Sequence, residues 1–368
     1  MDRNQRKMST ITRGTCHLIV GGMTAAVCVL ATPSVIASPL SDAAQQLSPG
    51  SWVELGTQGL SPSFLDPGTG GSITYYSDSA AWDPSSRALF FIGAPHYEAA
   101  KFIQYKESTN SWSSLPLTMR IPIHGYDHNT IDSTGRILYH RVSGTDETKA
   151  YNIDTQQWTQ LPDFNSGYVQ FAGGLAFFPE FGGSGSLVFA QGGLGEVHRY
   201  NVQQGTWTLL RSNLAMGNYH NFAEYNPVRK LVLFGGGEGS RNLYTIDAQG
   251  TIVTKSTAPI SLGIHDSVTT VDPISGDYLV FSGSTSSFYI YDVANDTWSQ
   301  RAGSFPLFSP ANSPAVAGVV AAPIATYGVV MFIKYHPNAT KVYLYKHAPG
   351  SGTPVGVRPE SPTALAVQ

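Results

Sequence analysis

The chain has 368 residues, of which only 13 % are charged, and its formal net charge is −3 at pH 7. Soluble domains usually have about 25 % charged residues. Because nucleic-acid binding needs a basic stripe, which this composition does not supply, we expect no nucleic-acid partner.

Residues 1–37 have the organisation of an export signal. Four basic residues open the segment: Arg3, Arg6, Lys7 and Arg13. An uncharged apolar run at 18–31 follows, and Val35 and Ala37 then provide the small residues of a cleavage site after Ala37. The apolar run is shorter than the roughly 20 residues that a membrane span needs. We therefore predict a signal peptide and an exported protein, periplasmic or extracellular, with no membrane segment after cleavage. The only two cysteines lie in this segment, so the mature chain has none.

A repeat organises the rest of the chain. Tyrosine stands seven residues before tryptophan in "YKESTNSW" (105–112), "YNIDTQQW" (151–158), "YNVQQGTW" (200–207) and "YDVANDTW" (291–298), and "YTIDAQGT" (244–251) has threonine at the last position. The final positions of these segments fall 44 to 49 residues apart. A regular period of this size is typical of a propeller or a solenoid.

Each repeat also contains a predicted hairpin. Four show it clearly: 80–93, 130–142, 224–236 and 270–283. In each, two apolar strands flank an Asp/Asn-Pro or Asp-Ser turn, and these residue types favour turns because Pro presets φ while Asp and Asn bond their own backbone. Every repeat therefore reads as four antiparallel strands, which we label a to d.

The last repeat is split between the two ends of the chain. Residues 317–347 supply strands a, b and c, and "SWVELG" (51–56), with Trp52 at the motif position, supplies strand d. Such closure removes free sheet edges. We predict an all-β fold, a six-bladed β-propeller at 51–347, preceded by a linker at 38–50. A flexible C-terminal tail, rich in Pro, Gly and Ser, is predicted at 348–368.

The strands that end in glycines, "FAQGG" (189–193) and "LFGGG" (233–237), followed by Tyr and then Trp, resemble the kelch repeat. The resemblance covers nearly the whole mature chain and implies a divergent, exported bacterial-type kelch propeller. It says little about activity, because function lies in loops carried by the scaffold. Copper-radical oxidases with a kelch propeller need a cysteine cross-linked to tyrosine, and the mature chain has no cysteine, so we exclude that chemistry.

Polar stretches precede the innermost strands of four blades. In a propeller of this topology the d-to-a and b-to-c connections share one face, where we expect these stretches to converge around the channel mouth. They are Tyr75 to Asp78, "HGYDHN" (124–129), Tyr219 to Asn221 and His265 to Ser267. Converging titratable groups are the default hypothesis for a site. The simpler interpretation is that these side chains only satisfy backbone groups or solvent.

The first functional hypothesis is a carbohydrate-active enzyme, either a polysaccharide lyase or a sugar-acid epimerase acting by proton abstraction. It needs a base, an acid and a cation for the substrate carboxylate. We predict His124 or His220 as the base, Tyr126 or Tyr219 as the acid and Arg141 as the carboxylate clamp. The predicted substrate-binding residues are Tyr76, Asp127, His128, Asn221, His265, Asp266, Arg241 and Lys334.

Two alternatives stay open. The same residues would serve a glycan- or protein-binding module without catalysis. Alternatively, the His and Asp side chains offer nitrogen and oxygen ligands for a divalent metal such as Zn, Mn or Fe. His124 and His128 lie some 13 Å apart along an extended strand at about 3.3 Å per residue, so a metal would need one ligand from each blade. The partner that we expect is a carbohydrate, and an acidic one, and we expect the protein to be a monomer.

Overall fold

A computed structural model of the protein describes residues 37–68, 71–95, 100–122, 124–164, 172–264, 266–283, 287–307 and 318–355. The predicted signal peptide, apart from Ala37, and the last residues of the predicted tail lie outside these ranges. None of the helices in the described ranges is long and apolar enough to span a bilayer.

Six antiparallel sheets form the molecule, one for each predicted blade. Blade 1 contains β2 (Ala81–Asp83), β3 (Ala88–Gly93), β4 (Lys101–Lys106), a 3-10 turn (Glu107–Thr109) and β5 (Ser111–Leu115). Blade 2 contains β6 (Asn129–Asp132), β7 (Ile137–Arg141), β8 (Thr148–Asn152) and β9 (Gln157–Gln160). Blade 3 contains β10 (Gly174–Phe178), β11 (Ser186–Gln191), β12 (Glu196–Asn201) and β13 (Thr206–Arg211).

Blade 4 contains β14 (Asn221–Asn226), β15 (Leu231–Gly236), β16 (Leu243–Asp247) and β17 (Ile252–Thr254). Blade 5 contains β18 (Ser267–Val271), β19 (Tyr278–Ser282), β20 (Phe288–Asp292) and β21 (Thr297–Arg301). Blade 6 contains β22 (Val319–Ile324), β23 (Val329–Lys334) and β24 (Lys341–Tyr345), and its outer strand is β1 (Trp52–Glu54). The prediction of an all-β, six-bladed propeller closed by an N-terminal strand is confirmed.

The ring closes at two levels. On the outside, β1 pairs with β24 so that Trp52 lies opposite Tyr345. On the inside, the amide of Ala321 in β22 donates to the carbonyl of Asp78, and the amide of Ala80 donates back to Ala321, each over 2.8 Å. The pairing of β1 therefore completes blade 6 at the rim, and backbone hydrogen bonds join the first and last blades at the channel.

In five of the six blades, all except blade 4, the tyrosine and the tryptophan of the repeat lie on the two outer strands. Tyr105 is paired with Trp112, and the two ring centroids are 5.3 Å apart. The equivalent pairs of blades 2, 3 and 5 have centroids 4.9, 5.2 and 4.6 Å apart. In blade 6 the Trp52 and Tyr345 rings are 4.6 Å apart, so the two chain ends rebuild the same packing unit. In blades 1, 2, 3 and 5 the tryptophan follows the tyrosine by seven positions, because a tight turn reverses the chain between the two paired strands.

Both segments that flank the propeller contain regular structure. Helix α1 (Pro39–Gln46) lies in the predicted linker, is capped by Ser38 and buries Leu40 and Ala44. A short helix α2 (Pro62–Leu65) follows β1. At the other end, β25 (Thr353–Pro354) adds a fifth strand to blade 5 by pairing with β21, within the segment predicted as a tail.

Candidate functional site

Four predicted site residues from three blades meet at the d-to-a end of the channel. We call Tyr76, His124, Tyr126 and His220 the ring cluster. The centroid of the Tyr76 ring lies 4.0 Å from that of His124 and 6.0 Å from that of His220. The Tyr126 ring lies 5.2 Å from His124 and 5.7 Å from His220. The aligned polar stretches therefore predicted a real convergence of side chains.

The backbone at this cluster is unusual. Tyr76, Tyr126 and His220 have φ values of 55°, 49° and 65°. The left-handed region is uncommon for residues other than glycine, and for bulky residues it costs about 1–3 kcal/mol unless the surroundings impose it. Most other residues of this kind in the described ranges lie in hairpin or connecting turns. Three of the four cluster residues thus have an unfavourable backbone conformation, and in this conformation their rings converge.

Most of the ring cluster is shielded from solvent, with one exposed neighbour. His124 and Tyr126 are each 4 % exposed and His220 is 8 % exposed, whereas the adjacent Tyr219 is 38 % exposed. The Nδ1 atom of His220 lies 3.9 Å from a carboxylate oxygen of Glu238. Burial raises the pKa of Tyr126 above its ordinary value, so its phenol stays protonated at neutral pH. Tyr219 and Glu238 are therefore the exposed side chains beside His220.

The ring cluster also closes one end of the central channel. Tyr126 packs with Ala172 and Ile264, which precede the inner strands of blades 3 and 5, and Tyr76 packs against them. Beyond this closure lies a cavity of about 220 Å³ lined by the inner strands of all six blades. We call it the channel cavity. Its lining continues to the a–b turns, so it approaches the face opposite to the ring cluster.

Three carboxylic side chains belong to the closed part of the channel. Asp78 and Glu224 line the channel cavity, and Asp127 is hydrogen-bonded to Asp78. Burial raises the pKa of Asp127 to about 7. Burial, followed by the neighbouring charge of Asp127, raises the pKa of Glu224 to about 8. The pKa of Asp78 is raised well above its ordinary value by the same two causes.

Asp127 has a bridging role that the sequence did not indicate. Its Oδ2 accepts a 2.7 Å hydrogen bond from the amide of Ala223, two blades away. The Asp127 carboxylate can reach this amide because the intervening residue, Gly174, has no side chain. A Cβ at Gly174 would collide with the backbone of Phe222 and Ala223. The predicted role of Asp127 in substrate binding stays a prediction, and its carboxylate is part of the channel rather than of the ring cluster.

Arg141 is engaged between blades 2 and 3. Its fully buried guanidinium donates to the carbonyls of Thr145 and Glu147 over 2.8 and 3.2 Å. It also faces the rings of Phe164 and Phe189, with the guanidinium carbon 5.1 and 4.9 Å from their centroids. Burial lowers its pKa to about 10. A substrate carboxylate would have to displace these contacts, so the placement gives no support to the predicted clamp.

The other predicted binding residues are distributed around the molecule. Asn221 is fully buried. Its side-chain amide accepts a hydrogen bond from the backbone amide of Gly192 and donates to the carbonyls of Gly217 and Gly236. His128 is fully buried beside His140, and burial lowers its pKa. Two cations bind backbone carbonyls: Arg241 that of Ala258 and Lys334 that of Pro306. Asp266 is half-buried at the start of blade 5, and His265 lies outside the described residues.

The sequence analysis does not predict Glu224 and Thr269 as site residues. It predicts Asp78 at the mouth of the channel, whereas the structure places Asp78 in the channel cavity. The sequence analysis treats Glu224 only as part of a hairpin strand, although a carboxylate between the apolar residues Phe222, Ala223 and Tyr225 of an inner strand is a signal in itself. For the metal hypothesis, no three His, Cys, Asp or Glu side chains of the described ranges are grouped to hold an ion.

No protein-family model matches the chain. Among solved structures, it is similar to a structural genomics protein of unknown function from Bacteroides thetaiotaomicron VPI-5482. The identity is 12 %, the TM-score 0.52, and the match covers 84 % of this chain and 74 % of that one. A chain in the crystal structure of a nidogen/laminin complex is 10 % identical with a TM-score of 0.49, over 67 % of this chain and 84 % of that one. At 12 % identity, the likeness to the Bacteroides protein shows the fold alone. The protein is a six-bladed β-propeller, a scaffold that serves binding modules and enzymes alike.

Proposed function

We propose that this protein is an exported, kelch-type carbohydrate-binding propeller whose ligand lies against Tyr219, His220 and Glu238, on the outer side of the ring cluster. The observation that carries the proposal is the strained convergence of Tyr76, Tyr126 and His220 from three blades. Backbone strain of this kind is concentrated at ligand sites, where the surrounding structure holds it in place.

The residue types suit a sugar. An aromatic ring offers an apolar face to the C–H groups of a pyranose, while its hydroxyl and nearby imidazole and carboxylate groups hydrogen-bond the sugar hydroxyls. Tyr219 presents such a ring, which is 38 % exposed and adjacent to His220. The Nδ1 atom of His220 lies 3.9 Å from a carboxylate oxygen of Glu238. The predicted carboxylate clamp Arg141 and the predicted substrate-binding cations Arg241 and Lys334 all donate to backbone carbonyls. We therefore favour recognition through rings and hydroxyls over recognition through a sugar carboxylate.

Catalysis is the second candidate, and one observation favours it. Two imidazoles flank the Tyr76 ring, and Tyr126 stays protonated between them, so a base and a proton donor lie within one cluster. This arrangement would serve a lyase or an epimerase acting on an acidic sugar, with His124 or His220 removing the proton.

A glycan array followed by calorimetry tests the proposal. We expect Tyr219→Ala to weaken glycan binding about tenfold, which corresponds to about 1.4 kcal/mol. The matched control is Val253→Ala, because Val253 is 48 % exposed on the outer strand of the same blade. Binding that is equal in both variants, or no binding to any glycan, would refute the proposal. Ultraviolet absorbance of an unsaturated uronate product, lost in His220→Ala, would instead establish the lyase.

A further inference from the structure

We propose that the channel cavity is a second site, separate from the ring cluster, and that it binds a small organic amine with a compact apolar body. The ammonium group would lie between Asp78 and Glu224, and the body would extend toward the a–b turns. Both carboxylic side chains line the cavity, which has a volume of about 220 Å³.

The closed end of the cavity offers acceptors that are not used. Asp78 is only 3 % exposed, yet its Oδ1 has no hydrogen-bond partner among the described residues. The hydroxyl of Thr269, which lines the same cavity and is 7 % exposed, also has none. Buried polar groups are nearly always paired, and an unpaired one destabilises the protein. A ligand that donates hydrogen bonds here would remove this cost.

The charge of this end selects a cation. Asp127 is hydrogen-bonded to Asp78, and after burial itself the charges of Asp127 and Glu224 raise the pKa of Asp78, while the charge of Asp127 raises that of Glu224. An ammonium group would favour the ionised carboxylates and offer up to three donors. Asn129 and Thr270 add further polar groups to the wall.

The remaining wall is apolar, which selects an amine with a hydrocarbon body. Toward the a–b turns the cavity is lined by Trp82, Phe177, Tyr225 and Val271, followed by prolines such as Pro84. Burial of apolar ligand surface against such a wall favours binding. A hydrated metal ion would gain nothing from these side chains. Within the described ranges, moreover, no three acidic or imidazole groups are arranged around one point as metal ligands.

Cyclohexylamine and cyclohexanol, which have the same ring but differ in charge, are the probes. We expect cyclohexylamine to raise the melting temperature of the full propeller and to bind at least tenfold more tightly than cyclohexanol in calorimetry. Asp78→Asn and Glu224→Gln, both isosteric, should each reduce amine affinity at least tenfold. Glu54→Gln is the control, because Glu54 is an exposed carboxylate paired with Lys341 on the outer edge of blade 6.

Three results would overturn the inference: no binding of the amine to the unaltered protein, equal binding of amine and alcohol, or unchanged amine affinity in both channel variants. Binding of Ca²⁺ or Mg²⁺ that competes with the amine and depends on the same residues would replace the amine site with a metal site. Tyr219→Ala should leave amine affinity unchanged, so this test and the glycan test fail independently of each other.

Discussion

At the scale of single residues, the channel carboxylates make stability depend on pH. The pKa values of Asp127 and Glu224 are about 7 and about 8 in the folded protein, against ordinary values near 3.9 and 4.3. Between these limits the folded state keeps protons that the unfolded chain has released. The contribution of these groups is therefore complete below about pH 4 and is lost as the pH rises through 7 to 8.

We predict that Asp127→Asn and Glu224→Gln remove part of this loss. The free energy of unfolding, measured by urea titration at about pH 5.5, 7 and 8.5, should fall with rising pH more steeply in the unaltered protein than in either variant. Each unit of difference between folded and unfolded pKa is worth about 1.4 kcal/mol. Glu54→Gln, at a surface ion pair, should follow the unaltered protein. Parallel curves for all four proteins would contradict the prediction.

The buried histidines act in the opposite direction. Burial lowers the pKa of His140 to about 3 and that of His128 below its ordinary value. These groups stabilise the fold above about pH 6.5, the pKa of the unfolded residue, and their contribution is lost as the pH falls below it. Because the carboxylate variants keep both histidines, and because the carboxylate contribution is constant below about pH 4, the stability of all these proteins should depend on pH with the same slope below about pH 4.

Polar residues in the aligned segments predicted the ring cluster. The acidic group in the channel was not predicted from the sequence. Tyr76, His124 and His220 all lie in segments that precede inner strands, so the repeat brings these segments to the same end of the channel. The surroundings of Glu224 depend instead on the closure of all six inner strands around it, and a local pattern does not contain that information. Arg141 likewise looked available because its two aromatic neighbours lie 23 and 48 residues further along the chain.

At the scale of elements, helix α1 is attached to the propeller by a buried carboxylate. Glu107 is 1 % exposed, receives hydrogen bonds from Arg87 over 2.7 and 2.5 Å, and accepts one from Tyr327 of blade 6 over 2.7 Å. The hydroxyl of Ser38, the N-cap of α1, also donates to it. Burial alone would raise the pKa of Glu107, but these hydrogen bonds outweigh it and hold the pKa below its usual range.

We predict that Glu107→Ala destabilises the protein by about 3 kcal/mol, because it leaves a partly buried arginine without its partner and releases the helix cap. Unfolding in urea measures the change. Glu54→Ala, which breaks an exposed pair, should cost less than about 1 kcal/mol. The Glu107 contribution should vanish in acid, since a lowered pKa gives stability that is lost as the pH falls through it. Equal costs for the two variants would show that Glu107 is not a structural centre.

The linker predicted at 38–50 shows why element boundaries were harder to predict than the blades. The blades can be predicted from a repeated sequence pattern, whereas α1 occurs once and is short. Its cap residues Ser38 and Ser41 hydrogen-bond each other, but a helix of this length is marginal in isolation. It forms because Leu40 and Ala44 are buried against blades 1 and 6, which is tertiary information.

At the scale of the whole molecule, the N-terminal segment holds the ring shut. We predict that a chain beginning at Gly56, without α1 and β1, exposes the edge of β24 and self-associates. Size-exclusion chromatography and thermal unfolding compare it with a chain beginning at Ser38, which should be a monomer with one cooperative transition. A shortened chain that stays monomeric with the same melting temperature would show that the closure is dispensable.

The period of the repeat was enough to predict the number of blades, because each blade buries its faces only against its neighbours and so repeats the same pattern. The position of the closing strand was also predictable, from one tryptophan at the motif position. The chemistry of the channel was not, since six unlike strands contribute to it.

The pairing of Trp52 with Tyr345 also bears on the order of events as the protein folds. Contacts between residues so distant in sequence carry a large loop-closure cost and form slowly. During synthesis β1 emerges early and has to wait, unpaired, until the strand that completes its blade has been made. The ring therefore closes only after nearly the whole chain is available, and until then the partly formed propeller presents open edges to its surroundings.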